Sequence, residues 1–112
     1  MNNGKIKAEI YPLADGYFAE ITGHADTGKD GGREVCAAVS ALICSVFGEL
    51  SELSREGLIR LKAHGISHGS AVTHFTVHEN EKARFCAKTA MDVLYKGLCG
   101  IEEIYPGMID LN

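Results

Sequence analysis

The sequence predicts an α+β domain with the element order ββαββα, in which a mainly antiparallel sheet of about four strands carries two helices on one face. Two pairs of short segments alternate apolar and polar residues, as half-buried strands do. Two longer segments repeat apolar residues every three or four positions, as amphipathic helices do. The strands follow one another in pairs rather than alternating with helices, which indicates hairpins. The chain has 112 residues, so we expect residues 1–112 to form a single domain.

The first hairpin is predicted near the N-terminus. Residues 5–11 (KIKAEIY) alternate strictly between apolar and charged side chains, and residues 17–24 (YFAEITGH) alternate again. Asp15 and Gly16 lie between the two segments and are typical of a turn. His24 is therefore expected where the second strand ends.

The remaining elements are predicted from the same periodicities. A helix is expected from about residue 34 to residue 53, because apolar residues recur there at helical spacing. Residues 58–64 and 71–78 alternate again and predict a second hairpin. Asn80 is a favourable N-cap for a second helix, which Pro106 ends, and the segment MIDL that follows could add a short final strand.

Charge and hydropathy exclude several classes of function. The net charge of −4 argues against sequence-independent binding of nucleic acid, which needs a basic surface, but it would suit a basic peptide partner. No apolar run approaches the roughly 18 residues of a membrane span, and the first residues lack the apolar core of a secretion signal. We therefore expect a cytoplasmic protein that binds neither nucleic acid nor a membrane directly.

The cysteines and the histidines of the second hairpin do not predict a metal site. A cytoplasmic location disfavours disulfides, and no Cys-x-x-Cys pair typical of structural zinc is present. Cys86 and Cys99 would lie about 20 Å apart on one helix and cannot bond to each other. Cys44, Cys86 and Cys99 are expected to be structural, and His64, His74 and His78 are expected on the solvent face of the hairpin. No metal or organic cofactor is expected.

Residues 23–36, GHADTGKDGGREVC, contain most of a phosphate-binding loop in the pattern Gly-x-x-x-x-Gly-Lys at positions 23–29. The next position would need Ser or Thr to hold magnesium, but it is Asp30, whose charge would repel phosphate. Gly31 and Gly32 would interrupt a helix that begins at the lysine. The pattern is therefore interpreted as a chance match.

The same stretch places His24 and Cys36 at the two ends of a glycine-rich loop. If the helix stripe starts at Val35, Cys36 lies in the first turn, where free backbone N–H groups and the helix macrodipole favour a thiolate. Arg33, if close to the sulfur, would act in the same direction, and an imidazole beside the thiol would complete a Cys–His pair. Most helix cysteines are small core residues, however, so the residues alone leave both roles for Cys36 open.

The segments GHA at residues 23–25 and VCAAVS at residues 35–40, with the glycine-rich loop between them, resemble the family of bacterial ribosomal-processing cysteine proteases (Prp). The spacing of twelve positions from His24 to Cys36 matches that family, and the ending Ile-Glu-Glu-Ile-Tyr-Pro fits it as well. The resemblance implies a small homodimeric protease with Cys36 as the nucleophile, His24 as the acid/base and Ser40 lining the same site. Its substrate would be the N-terminal extension of large-subunit ribosomal protein twenty-seven, removed before or during ribosome assembly.

One position departs from the family pattern. Three residues before the cysteine, where the family has Asp, this chain has Arg33. If the family's Asp orients His24 or shapes the substrate pocket, its role is either unfilled in this chain or has passed to Asp26 or Asp30. The loop glycines would let the segment rearrange as a lid around bound peptide; they are Gly23, Gly28, Gly31 and Gly32.

The predicted reaction is acyl transfer. His24 accepts the Cys36 proton, the thiolate attacks the scissile carbonyl, and His24 protonates the leaving amine. Two other hypotheses stay open. One is a non-catalytic dimeric factor that binds a ribosomal protein without cutting it. The other is a redox sensor based on Cys36, although Cys44, two helical turns away, is too distant to serve as its resolving thiol.

Overall fold

The computed structural model of the protein describes residues 4–112. Its elements, in chain order, are β1 (Ile6–Pro12), β2 (Gly16–Gly23), α1 (Gly32–Arg55), β3 (Ile59–Ser67), β4 (Ser70–Val77), α2 (Glu81–Ile104) and β5 (Ile109–Leu111). The predicted order ββαββα is confirmed, and the segment MIDL supplies the short final strand. Helix α1 begins two residues earlier than predicted, which changes the position of Cys36 within it.

The five strands form one sheet in the order β3-β4-β2-β1-β5. Three of the four pairings are antiparallel, and only β5 runs parallel to its neighbour, β1. The pairing of β2 with β4 joins the two hairpins at the centre of the sheet. As a result, the last residues of β2 lie beside the turn between β3 and β4.

The two helices pack on one face of the sheet and share a single core with it. The alternation predicted for the strands is confirmed, since Ile6 and Ala8 of β1 and Ile21 of β2 are buried on that face. The buried residues of α2 include Ala83, Ala87, Ala90, Leu94 and Leu98. A Cβ on Gly97 would lie 2.6 Å from Leu42 Cδ2, so this glycine lets α2 approach α1 closely.

By length and composition alone, helix α1 is long and apolar enough to span a membrane. This finding differs from the sequence prediction that no apolar segment is long enough to do so. The core helix of a globular domain passes the same test. Eight residues of α1, from Gly32 to Leu53, are buried within the domain. The core accounts for the apolar stripe of this helix.

A β-bulge in β3 reverses the orientation of His64, which the sequence analysis placed on the solvent face. The register with β4 shifts just after Leu61, so that His64 lies opposite the buried Thr73. The imidazole stacks on Phe47 of α1 with ring centroids 4.9 Å apart; its Nδ1 is 2.9 Å from Thr73 Oγ1, and its Nε2 is 3.2 Å from Ser51 Oγ. Burial lowers the pKa of His64. The prediction was wrong because one extra residue in a strand exchanges its two faces.

Glu102 connects the end of α2 to β5. Its carboxylate accepts hydrogen bonds from the backbone N–H groups of Gly107, Met108 and Ile109 at 2.6, 3.1 and 2.8 Å. Partial burial by itself raises the pKa of this carboxyl, but the three N–H donors outweigh burial and bring the pKa below its ordinary value. The ionised carboxylate therefore fixes the turn that leads into β5.

We expect Glu102→Gln to lower the free energy of unfolding by about 1–2 kcal/mol near neutral pH, because an amide cannot replace a charged acceptor of three hydrogen bonds. The folded-state pKa of Glu102 is depressed. The stabilisation is therefore present above the unfolded pKa of about 4.5 and is lost as the pH falls through the folded value. Urea unfolding near pH 7 and near pH 3.5 should show a smaller difference between wild type and variant at the lower pH.

Glu103→Gln is the matched control, since Glu103 is the next residue along the chain and is exposed. It should follow the wild type at both pH values. A Glu102→Gln difference that is equal at the two pH values would contradict the assigned role of the carboxylate charge.

Candidate active site

His24 and Cys36 line the same cleft, although twelve residues separate them in the sequence. His24 follows directly after β2 and is exposed, whereas Cys36 lies on α1, half-buried and packed against the core. Gly23 and Ser40 line the cleft too. The structure thus brings together four of the residues that the sequence analysis singled out.

The cleft has a volume of about 110 Å³, room for a few water molecules or one small side chain. Its base is largely apolar and includes Ile6, Ile21, Val39, Ile43 and Ala71. The turn between β3 and β4 forms one rim, with Ile66, Ser67, Gly69 and Ser70. From the sequence, this turn is only a connection between two strands. No motif marks it as part of a site, because its place there follows from the pairing of β2 with β4.

Cys36 lies in the second turn of α1, whereas the sequence predicted that it lies in the first. The helix begins at Gly32 with Gly31 as its N-cap. The effect of the helix macrodipole falls off within the first turn, so it acts on the Cys36 sulfur more weakly than predicted. Side chains on a helix lean toward its N-terminus, which directs the sulfur over the first turn. There the thiol donates a hydrogen bond to the backbone carbonyl of Ala25, with Sγ 3.8 Å from the oxygen.

The first turn of α1 has no side-chain cap. The N–H of Gly32 donates to the carbonyl of Lys29, and the N–H of Val35 donates to the carbonyl of Gly31. Helix geometry leaves the N–H groups of Arg33 and Glu34 without an acceptor inside the helix. These two donors lie on the turn toward which the Cys36 side chain leans.

Asp26 organises the loop between β2 and α1. Its Oδ1 accepts a hydrogen bond from the N–H of Gly28 at 2.9 Å, and its backbone carbonyl accepts one from the N–H of Lys29 at 3.1 Å. Its own N–H donates to the carbonyl of Gly4 at 2.8 Å. Asp26 therefore shapes the loop, and it does not line the cleft.

Gly31 and Gly32 are required by close contacts at the start of α1. Gly31 has a φ of 86°, and a Cβ there would overlap the ring of Tyr105. A Cβ on Gly32 would overlap the backbone carbonyl of Asp26. Gly31 and Gly32 are therefore held by packing, whereas the sequence predicted that they let the loop rearrange; the role of a lid stays a prediction.

Six of the candidate residues lie outside the lining of the cleft: Asp26, Gly28, Asp30, Gly31, Gly32 and Arg33. Asp30 and Arg33 are exposed, and their participation in the site stays a prediction. Cys44, which was expected to be structural, is instead exposed and lines the cleft two turns further along α1. Within residues 4–112, no group of three or more His, Cys, Asp or Glu side chains is arranged to hold a metal ion.

The chain matches the model of the family described as "Cysteine protease Prp" over residues 6–110. Comparison with curated proteins finds no match.

Solved structures share the fold over nearly the whole chain. A ribosomal processing protease Prp from S. aureus, in complex with a substrate peptide, is 23% identical with a TM-score of 0.65, and the match covers 96% of this chain and 97% of that one. The same S. aureus protease with a covalently linked product peptide is 25% identical, with the same TM-score of 0.65 and the same coverage of 96% and 97%. A protein from Streptococcus mutans is 22% identical with a TM-score of 0.68, and the match covers 100% of this chain and 97% of that one.

We expect Gly32→Ala to lower the free energy of unfolding by about 1–3 kcal/mol, because the new methyl group must displace the carbonyl of Asp26. Gly48→Ala is the matched control on the same helix. A Cβ there meets no atom within 4 Å, so this variant should gain about 0.5–1 kcal/mol from its helix propensity. Urea unfolding measures both changes. A Gly32→Ala protein as stable as the wild type would show that the start of α1 is not tightly packed.

Proposed function

The chain belongs to the cysteine protease Prp family, and we propose that it removes the N-terminal extension of large-subunit ribosomal protein twenty-seven during ribosome assembly. The observation that carries the proposal is that one cleft is lined by both a cysteine and a histidine, Cys36 and His24, within a chain of this family. The S. aureus relative that shares the fold is a ribosomal processing protease solved with a substrate peptide.

The proposed mechanism is acyl transfer with Cys36 as the nucleophile and His24 as the acid/base. The imidazole takes the thiol proton, and the thiolate adds to the scissile carbonyl to form a tetrahedral intermediate. When the intermediate collapses, the imidazolium protonates the leaving amine, and the leader stays bound to sulfur as a thioester. A water molecule then attacks the thioester with the imidazole as base, which releases the carboxylate and restores the thiol.

Three features near Cys36 and the net charge of the chain support this mechanism. The thiol hydrogen bond to the Ala25 carbonyl sets the direction of the sulfur before substrate binds. We assign the stabilisation of the oxyanion to the N–H groups of Arg33 and Glu34, which lack intrahelical acceptors and lie on the turn toward which the Cys36 side chain leans. Ser40, one turn beyond Cys36, offers a hydroxyl to the same cleft. The net charge of −4 suits a basic leader peptide, because complementary charge speeds encounter.

We also propose that the protein is a cytoplasmic homodimer. A groove between α1 and α2 offers a second copy an apolar surface to cover, since Phe85 is 72% exposed and Val93 is 50% exposed. Phe85→Glu is therefore expected to shift the mass measured by light scattering from dimer toward monomer. Lys82→Glu, on the exposed first turn of α2, is the control and should leave the mass unchanged. A Phe85→Glu protein with the mass of the wild type would exclude this groove as the contact.

Cleavage of leader-bearing large-subunit ribosomal protein twenty-seven tests the proposed activity. Cys36→Ala is expected to lower the cleavage rate by at least about a thousandfold, because it removes the nucleophile, while the substrate still binds. Cys44→Ala is the matched control, since Cys44 lines the same cleft on the same helix. It should cleave within about twofold of the wild type.

The outcomes separate the alternative functions. Binding of the leader-bearing protein without cleavage by the wild type would favour a non-catalytic binding factor. Loss of cleavage in both cysteine variants would implicate the pair of thiols and contradict the assignment of Cys36 alone. Persistent cleavage by purified Cys36→Ala would exclude this cleft as the active site.

A further inference from the structure

We propose that the β3–β4 turn, through the ring of His68 and the backbone of Gly69, positions the imidazole of His24 for catalysis. The inference rests on the proposed function, in which His24 is the acid/base. In many Cys–His and Ser–His sites, a third group, often a carboxylate, holds the histidine in its working orientation. We assign that task here to a turn from the other hairpin.

No carboxylate is present among the described residues that line the cleft. The nearest acid along the chain, Asp26, directs its Oδ1 to the N–H of Gly28 and supports the loop. The position where the family pattern has Asp carries Arg33, whose positive charge cannot accept a hydrogen bond from an imidazole. His24 therefore needs another group to orient it.

The β3–β4 turn contacts His24 in two ways. The ring of His68 lies against that of His24, with centroids 5.1 Å apart and an interplanar angle of 42°. Gly69 lies so close that a Cβ there would be 3.0 Å from His24 Nε2. Contact between two rings is worth about 0.5–1.5 kcal/mol, enough to favour one orientation of an exposed side chain over others.

The backbone fixes the turn to the strand that carries His24. The N–H of Gly23 donates a hydrogen bond to the carbonyl of Gly69 at 2.9 Å. The residue before His24 is thus bonded to the residue after His68, which keeps the two backbones close enough for the rings to meet. A φ of +75° at Gly69 also favours glycine at this position.

The contact between the imidazoles of His24 and His68 makes the orientation of the His24 ring depend on pH. When both rings are protonated, their like charges repel, and this repulsion opposes the contact between the two rings. The other titratable groups that line the cleft with His24 are the thiols of Cys36 and Cys44, both on α1, and no acidic residue, lysine or arginine among residues 4–112 lines it. Neutral His68 is therefore the state that supports an imidazolium at His24.

The first experiment compares His68→Ala with His68→Phe in cleavage of the leader-bearing ribosomal protein. His68→Ala removes the ring and should lower kcat about tenfold with KM changed less than about twofold. His68→Phe keeps a ring against His24 and should recover most of kcat, and its activity should fall less on the acidic side because no second charge can form. His74→Ala, on the outer face of β4, is the control and should match the wild type.

Gly69→Ala tests the backbone contact, with Gly57→Ala as its matched control. Both glycines have a positive φ, +75° and +79°, but a Cβ on Gly57 meets no atom within 4 Å. The two variants should lose similar unfolding free energy, and only Gly69→Ala should lose activity. Equal activity in the two variants at equal stability would overturn the role of Gly69.

A second readout does not depend on the substrate. The rate at which iodoacetamide alkylates Cys36, followed by mass spectrometry between about pH 5 and pH 8, reports the thiolate that His24 supports. We expect His68→Ala to lower this rate several-fold near pH 6 and His68→Phe to restore it. A His68→Ala protein with the alkylation rate and the kcat of the wild type would overturn the inference. A His68→Phe protein in which neither quantity recovers would overturn it as well. Cleavage that persists in Cys36→Ala would instead overturn the proposed function.

Discussion

The close packing at the start of α1 is the constraint on which the candidate site depends. Gly31 lies against the ring of Tyr105 and Gly32 against the carbonyl of Asp26, where any side chain would overlap its neighbour. These contacts prevent the helix from shifting along its axis, so Cys36 is held at a fixed position over Ala25. The end of α2 takes part in the same packing, because Glu102 holds the turn that follows Tyr105. The C-terminal segment therefore stabilises a site to which it contributes no lining residue.

The sheet supplies the second half of the site. The pairing of β2 with β4 places Gly23 beside Gly69, so His24 is held by its own strand and contacted by the turn of the other hairpin. Three segments that are distant in sequence meet here: the end of β2, the first turns of α1 and the β3–β4 turn. A cleft at such a junction combines a cysteine held by rigid elements with direct access from solvent. This combination suits a protease that must admit an extended peptide.

Residues of one type serve different purposes in this chain because tertiary contacts differ. His64 is turned inward by a β-bulge and bonds to Thr73, which makes it part of the packing between β3 and α1. His68, four residues later, lies at a turn and meets His24 instead. The α1 cysteines divide in the same way: Cys36 packs against the core with its thiol bonded to a carbonyl, and Cys44 is exposed on the same cleft. Burial, hydrogen bonding and strand register, rather than residue type, separate these roles.

The sequence by itself determined the element order, the face of each regular strand and the position of His24 and Cys36 on either side of one glycine-rich loop, because periodicity and short motifs record local geometry. It also indicated the family, through the spacing from the histidine to the cysteine. Only the tertiary structure decided that Cys36 lies in the second turn, that Asp26 and two glycines serve packing, and that the β3–β4 turn borders the cleft. Each of these depends on a contact between segments distant in the chain, such as Gly31 with Tyr105 or Gly23 with Gly69. A bulge adds one residue without disturbing composition, so its reversal of His64 leaves no signal in a local pattern.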